Sequence, residues 1–224
     1  MFIDKSMTRE VITVGPGAGI LEAREKMVAN GIRHLPVVDQ YYKVIGIISD
    51  RDMRSALPSV FSTCREDVKE IQQISALKVA DVMNKEVITI SPRDTLQDAL
   101  LLMHKSNKGA LPVVHGDGTL KGIISRRDLI RAFINVLGIE EPGNLLCIVV
   151  EEKLGEMKKI VDAIAEEGIA FGSILVARHW EKGKRAVFPY LLTLNVAKVK
   201  RKLENMGFTL IDPMEWSLDH TRKS

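Results

Sequence analysis

The sequence predicts a mixed α/β (α+β) chain: two copies of one strand–helix–strand–strand–helix unit, related by a pseudo-twofold, followed by a separate βαββαβ domain. Three observations predict it. The first is an internal repeat at a constant offset of 76 residues. Met7, Glu10, Val11, Ile12 and Thr13 return as Met83, Glu86, Val87, Ile88 and Thr89; Leu35 to Val38 returns as Leu111 to Val114. Gly46, Ile47, Ile48, Ser49, Arg51 and Asp52 return as Gly122, Ile123, Ile124, Ser125, Arg127 and Asp128. Between positions 7 and 56, 19 of 50 residues match their partner without a gap, so the two segments are copies of one unit. The second observation is a turn-rich stretch, Gly138 to Asn144, in which Pro142 and Gly143 cannot continue a helix. The third is the change of pattern beyond it, where apolar residues no longer follow the repeat.

Each element has a local cause. In copy one a β-rich run, Val11 to Val14, leads through a Pro-containing turn to a helical pattern from Ile20 to Asn30. A buried strand at Leu35–Val38, a turn, a strand at Val44–Ser49 and a helix from about Asp50 follow. In copy two, Ser91 or Thr95 is placed to cap the helix that carries Leu96, Ala99, Leu100 and Met103 inward. Such a unit has one apolar sheet face that needs a partner, and the second copy supplies it. The predicted boundaries are 1–137 for the pair (unit one about 1–60, a connector over 57–78, unit two about 79–137), a linker over 138–144, a domain over 145–216 and a tail over 217–224. In that domain Leu145–Val150, Ile169–Arg178, Arg185–Leu194 and Phe208–Ile211 read as strands. Gly155–Glu167 and Ala197–Met206 read as helices. The order is ferredoxin-like.

Composition removes several function classes. Hydrophobic content of 46% against 27% charged is that of a globular protein, and a net charge of +3 is too mild to indicate a nucleic-acid partner. No uncharged run reaches the ~18 residues of a membrane span, and the start, Met1 to Lys5, does not read as a secretory leader. The expectation is a cytoplasmic protein with no membrane contact. Cys64 and Cys147 make no disulfide framework. The five histidines (His34, His104, His115, His179, His220) have no metal-ligand spacing, so no metal is expected. Gly15, Gly17 and Gly19 fit neither a dinucleotide fingerprint nor a Walker loop, and copy two has Ser91 to Thr95 there, so the stretch reads as a turn. No nucleophile elbow is present, and no catalytic residue is assigned.

What remains is Ser49-x-x-Asp52 and Ser125-x-x-Asp128. One reading is a capping box, with hydroxyl and carboxylate closing a helix start between them. The other builds on the same geometry: a capped helix start is a phosphate site, and an aspartate one turn in can accept from a ribose diol. Basic groups stand near in sequence: Arg33, His34 and Arg51 in copy one, and Lys108, Arg126 and Arg127 in copy two.

The motifs M-x-x-x-V-x-T-V, L-P-V-V-D and G-h-h-S/T-x-x-D, paired over residues 1–137, resemble tandem CBS domains (a Bateman module). The resemblance implies a regulatory protein with no obligatory cofactor, whose clefts bind an adenosine nucleotide: AMP, ADP, ATP or S-adenosylmethionine. It implies that Asp52 and Asp128 hold ribose hydroxyls, that Ser49 and Ser125 face phosphates, and that Arg33, His34, Gly109 and Ala110 line the clefts. Val11 and Val87 would flank adenine. It further implies a homodimer acting on a regulated protein still to be identified. CBS pairs also occur in enzymes such as IMP dehydrogenase, so an alternative is a nucleotide-linked enzyme or its regulatory subunit, although no catalytic barrel fits in 224 residues. The C-terminal domain resembles an ACT domain, a family that binds amino acids, and Gly155 marks the candidate effector loop. It has the glycine of that family's loop but lacks its proline. The order CBS–CBS–ACT, with Ile32 to Asp39, Ser49 to Met53 and Glu141 to Gly143, is similar to bacterial acetoin-utilisation regulators.

Overall fold

The computed structural model describes residues 1–56 and 76–211, so Cys64, most of the expected connector and the 217–224 tail lie outside the described residues. The chain divides into two compact units, Met1–Ile130 and Arg131–Ser224.

In the first unit, copy one contains α1 (Ile20–Ala29), β1 (His34–Val38), β2 (Val44–Ser49) and α2 (Asp50–Ala56). A short α3 (Val79–Val82) precedes copy two, which repeats the order as α4 (Leu96–Ser106), β3 (Ala110–Val114), β4 (Leu120–Ser125) and α5 (Arg126–Leu137), the last continuing past the end of the first unit. Each copy has a two-stranded antiparallel sheet in the same register: His34 opposite Ser49 in one, Ala110 opposite Ser125 in the other. The run Val11 to Val14, expected as a strand, is reduced to one parallel bridge between Val14 and Val37, and Ile90 meets Val113 likewise. Val14 donates its N–H to the Pro36 carbonyl at 3.2 Å and accepts from Val38 at 3.0 Å. The next rung needs an N–H at Pro36, which proline lacks, so the ladder stops; Pro112 ends the other one.

The segments that lead into the two copies are exchanged. Ile3 donates to the Asp94 carbonyl, Leu96 to that of Met1, and Thr8 and Ile123 bond each other both ways at 2.9 Å. Seventy-six residues on, Val79 donates to Ala18, Ile20 to Leu77, and Asn84 pairs with Ile47. Val79 therefore sits in the copy-one core with Val14, Ile20, Ala23, Met27, Leu35, Val37, Ile48 and Met53. Burial of such a side chain contributes about 1.5–3 kcal/mol. The repeated glycines mark the crossings. An added Cβ at Gly122 would stand 2.5 Å from Met7 Sδ and 2.9 Å from the Thr8 carbonyl oxygen, and one at Gly46 would collide with Met83 Sδ.

Helix starts differ between copies. Thr95 caps α4 in a full box with Asp98, its N–H donating to Asp98 Oδ2 at 2.8 Å and its hydroxyl accepting from the Asp98 N–H at 3.2 Å. Ser91 instead organises the preceding turn, accepting from the Arg93 N–H. Leu96, Ala99 and Met103 are buried, but Leu100, expected inward, is 47% exposed. The buried stripe repeats every three to four residues and Leu100 falls at its edge.

The second unit carries β5 (Asn144–Leu145), β6 (Cys147–Glu151), α6 (Glu156–Ala165), β7 (Phe171–Glu181), β8 (Lys184–Leu191), α7 (Ala197–Asn205) and β9 (Thr209–Ile211). The expected first strand is thus broken at Leu146, and β5 and β6 both pair with β8. The strands β7, β8, β6 and β9 lie side by side, all antiparallel, which is the ferredoxin-like order. Ile148, Val150, Val187 and Leu191 pack with Ile160, Ile164, Val199 and Leu203 of the two helices. Cys147 is buried, and burial pushes its thiol pKa up. No helix among the described residues is long and apolar enough to cross a membrane.

Candidate functional site

The two Ser-x-x-Asp segments have the same geometry. Ser49 donates its N–H to Asp52 Oδ2 at 2.8 Å and its hydroxyl to the same oxygen at 2.6 Å, and the Asp52 N–H returns to Ser49 Oγ at 3.3 Å. Ser125 and Asp128 reproduce these three bonds at 2.8, 2.6 and 3.3 Å. The box closes the junction of a strand with the following helix, as the capping reading requires. It uses one carboxylate oxygen; Oδ1 of each aspartate accepts no hydrogen bond from the described residues. Both carboxylates are half-buried. The serine hydroxyls are committed to the box and would meet a phosphate only by exchanging that bond.

The residue before each Leu-Pro pair is tied to the same junction. The Asp50 N–H donates to the Arg33 carbonyl at 3.0 Å, and the Arg126 N–H to that of Gly109 at 3.0 Å. Strand start and helix start thus form one edge in each copy. Arg33, Arg51, Arg126 and Arg127 are exposed there, whereas Lys108 is half-buried and Ala110 is buried in β3.

The edges meet at His34. A Cβ on Gly109 would stand 2.9 Å from both Cε1 and Nε2 of His34, so the copy-one imidazole lies on the copy-two glycine. Burial lowers the His34 pKa; Asp52 opposes the shift, and Arg126, Arg33 and Arg51 add to it. His34, Asp52, Arg51, Arg33, Gly109 and Arg126 therefore belong to one neighbourhood. Val11 and Val87 are half-buried in the runs before the Val14 and Ile90 bridges.

Two residues escaped the sequence reading. Arg54 pairs with Asp50 at 2.9 Å, one helical turn along, and that spacing was a readable signal. Asn107 accepts from Arg126 Nη2 at 3.4 Å across 19 residues, which no local pattern marks. Gly155 lies in the other unit at φ 94°, the left-handed N-cap of α6, a conformation that favours glycine. No group of three or more His, Cys, Asp or Glu placed to hold a metal ion occurs among the described residues.

A duplicated α/β unit with a Ser/Asp box in each copy defines a paired-repeat module. The CBS domain family matches residues 3–59 and 79–135, and the chain belongs to that family. It is 33% identical over 131 residues to the protein MJ1225 of Methanocaldococcus jannaschii, covering 58% of this chain and 46% of that one. The MJ1225 crystal structure superposes with a TM-score of 0.53. A Vibrio cholerae protein assigned to acetoin utilization (AcuB) is 29% identical, with a TM-score of 0.52, over 63% of this chain and 98% of that one. The CBS pair of protein MJ0100, solved with 5′-methylthioadenosine and S-adenosyl-L-methionine, is 26% identical, with a TM-score of 0.50, over 59% of this chain and 95% of that one. The chain spans about half the length of MJ1225 and nearly all of the other two.

Proposed function

We propose that this protein is a non-catalytic regulator that senses adenosine nucleotides through its CBS pair. The observation that carries the reading is the doubled Ser/Asp box, the same in both copies, each leaving one carboxylate oxygen without a partner among the described residues and close in sequence to exposed arginines. Asp52 and Asp128 hold ribose hydroxyls through that oxygen, while Arg33, Arg51, Arg126 and Arg127 meet phosphate and Val11 and Val87 flank adenine. The adenosine ligands of MJ0100 support the ligand class.

The clefts are unequal in this reading. Copy two presents Arg126 where copy one has Asp50, and Arg54 already neutralises part of that negative charge. The Ser125/Asp128 cleft therefore prefers the more phosphorylated nucleotide, and the Ser49/Asp52 cleft AMP or adenosine. The protein pairs as a homodimer through helical faces, supported by Val28 at 74% exposure on α1 and Leu101 at 54% on α4. The second unit acts as an ACT-like effector domain around Gly155, supported by its ferredoxin-like strand order.

Calorimetry with AMP, ADP, ATP and S-adenosylmethionine tests the reading. Asp52→Ala and Asp128→Ala should each weaken binding by about 1.5–3 kcal/mol, against about 1 kcal/mol of stability from the lost box. Variants that melt earlier yet bind as before would leave the boxes a purely structural role. Turnover of bound ATP would favour the enzyme alternative.

A further inference from the structure

Among the described residues, His34 stands against both motifs. Its backbone lies opposite Ser49 in the β1–β2 ladder, and its ring rests on Gly109, whose carbonyl holds the N–H that opens α5. The aligned residue of copy two is Ala110, so the pair has a single imidazole where its near-symmetry would place two. The groups that act on it are Asp52 and Arg51 from α2, Arg33 from the lead-in to β1, and Arg126 from α5. Among the described residues three cations act on it against one carboxylate, and the ring is half-buried.

We propose that His34 is a wall shared by the two clefts and takes up a proton when an anionic nucleotide enters, so that phosphorylated adenosine ligands bind more tightly as pH falls. The inference rests on the nucleotide reading above and concerns how that site is regulated. In the free protein, burial and the three arginines keep the imidazole neutral at neutral pH. A phosphate that pairs with Arg33, Arg51 or Arg126 offsets the cations that oppose protonation and adds negative charge nearby. Both changes favour imidazolium. Linkage makes the effect reciprocal: if the ligand favours the protonated ring, protonation favours the ligand. Affinity then rises as pH falls from above the liganded midpoint of His34 to below its unliganded midpoint. Adenosine, with no phosphate, supplies neither change and gives no such rise. Because Arg126 belongs to copy two and Asp52 to copy one, one proton reports on both clefts.

The test uses the whole chain with ADP and adenosine as probes. NMR titration of the His34 Cε1–H resonance, made on the wild-type protein, should show a higher midpoint with ADP and none of that rise with adenosine. Calorimetry at about pH 6 and about pH 8 should show ADP affinity rising some three- to tenfold more in the wild type than in His34→Gln. By the same linkage, a roughly tenfold gain in proton affinity on binding returns as a roughly tenfold gain in ADP affinity. The titration of the ADP phosphates is common to both proteins and cancels in that difference. Heat of ADP binding with an unmoved His34 midpoint would overturn the inference and leave the nucleotide reading standing. No heat from either probe would overturn both. Should His34→Gln fail to fold, the wild-type NMR titration decides alone.

Discussion

The two copies of the repeat keep one frame and dress it differently. The Ser/Asp box has the same three bond lengths in each, and the strand pairs have the same register. Around it, copy one places Arg33, His34 and an Asp50 held by Arg54, whereas copy two places Gly109, Ala110 and an Arg126 that reaches Asn107. Copy one starts its first helix at Gly19 with no side-chain cap; copy two uses Thr95 and Asp98. The residues that set the backbone are thus separable from those that set the charge beside each box. The fold requires the first group to be repeated, and under the proposed nucleotide reading the second is the source of any ligand preference.

The comparison breaks first at the crossing glycines. Gly122→Ala should destabilise by about 1–3 kcal/mol, because its Cβ would press on the Thr8 carbonyl oxygen 2.9 Å away, and backbone cannot step aside. Gly46→Ala should cost about 1 kcal/mol or less, since the nearest backbone atom is the Asn84 carbonyl oxygen at 3.4 Å and the obstacle is the flexible Met83 side chain. Thermal unfolding of the two variants checks the ranking; equal losses would show that the crossings bear load symmetrically. A smaller effect separates the helix starts. Thr95→Ala should lose about 1 kcal/mol, while Gly19→Thr, whose Cβ would meet nothing within 4 Å, should gain a few tenths in the same assay. The smallest effect tests the imidazole that copy two lacks. Its folded pKa is lowered, so the unfolded chain binds the proton more readily and stability falls with pH. The loss begins as pH drops through the ordinary imidazole range and is complete below the folded value. Tm should therefore fall more in the wild type than in His34→Gln between about pH 8 and about pH 5. Parallel curves would show that the environment of His34 does not act on its proton.

Much of the frame was legible. The constant offset placed β1 to β4 and the helix starts at Ile20, Asp50, Leu96 and Arg126, because apolar spacing and turn residues are local properties. The boxes were legible for the same reason: their partners lie three residues apart. What stayed hidden was non-local. Nothing near Ile3 or Val79 says that each packs with the opposite copy, since both patterns are satisfied by any apolar pocket. The Val11 to Val14 run has strand composition but faces a proline, a conflict visible only once the two segments are placed side by side. His34 over Gly109 was likewise out of reach, because the two residues stand far apart in the chain and no local pattern says that they touch.

The exchanged lead-in segments also constrain how the chain can acquire its shape during synthesis. The segment around Met1 to Thr8 leaves the ribosome ahead of the rest of the pair, and its partners Asp94, Leu96 and Ile123 emerge roughly a hundred residues later. At about 5–20 residues per second that is a wait on the order of ten seconds. During it, Ile3 and Met7 are without their native cover, and copy one lacks Val79 until residues past the connector appear. Copy one can complete its core once Leu77 to Asn84 have emerged, before most of copy two exists, whereas copy two cannot close until Ile123 meets Thr8. Copy two is thus the later of the two to close, and its closure carries the slow kinetics that distant contacts impose.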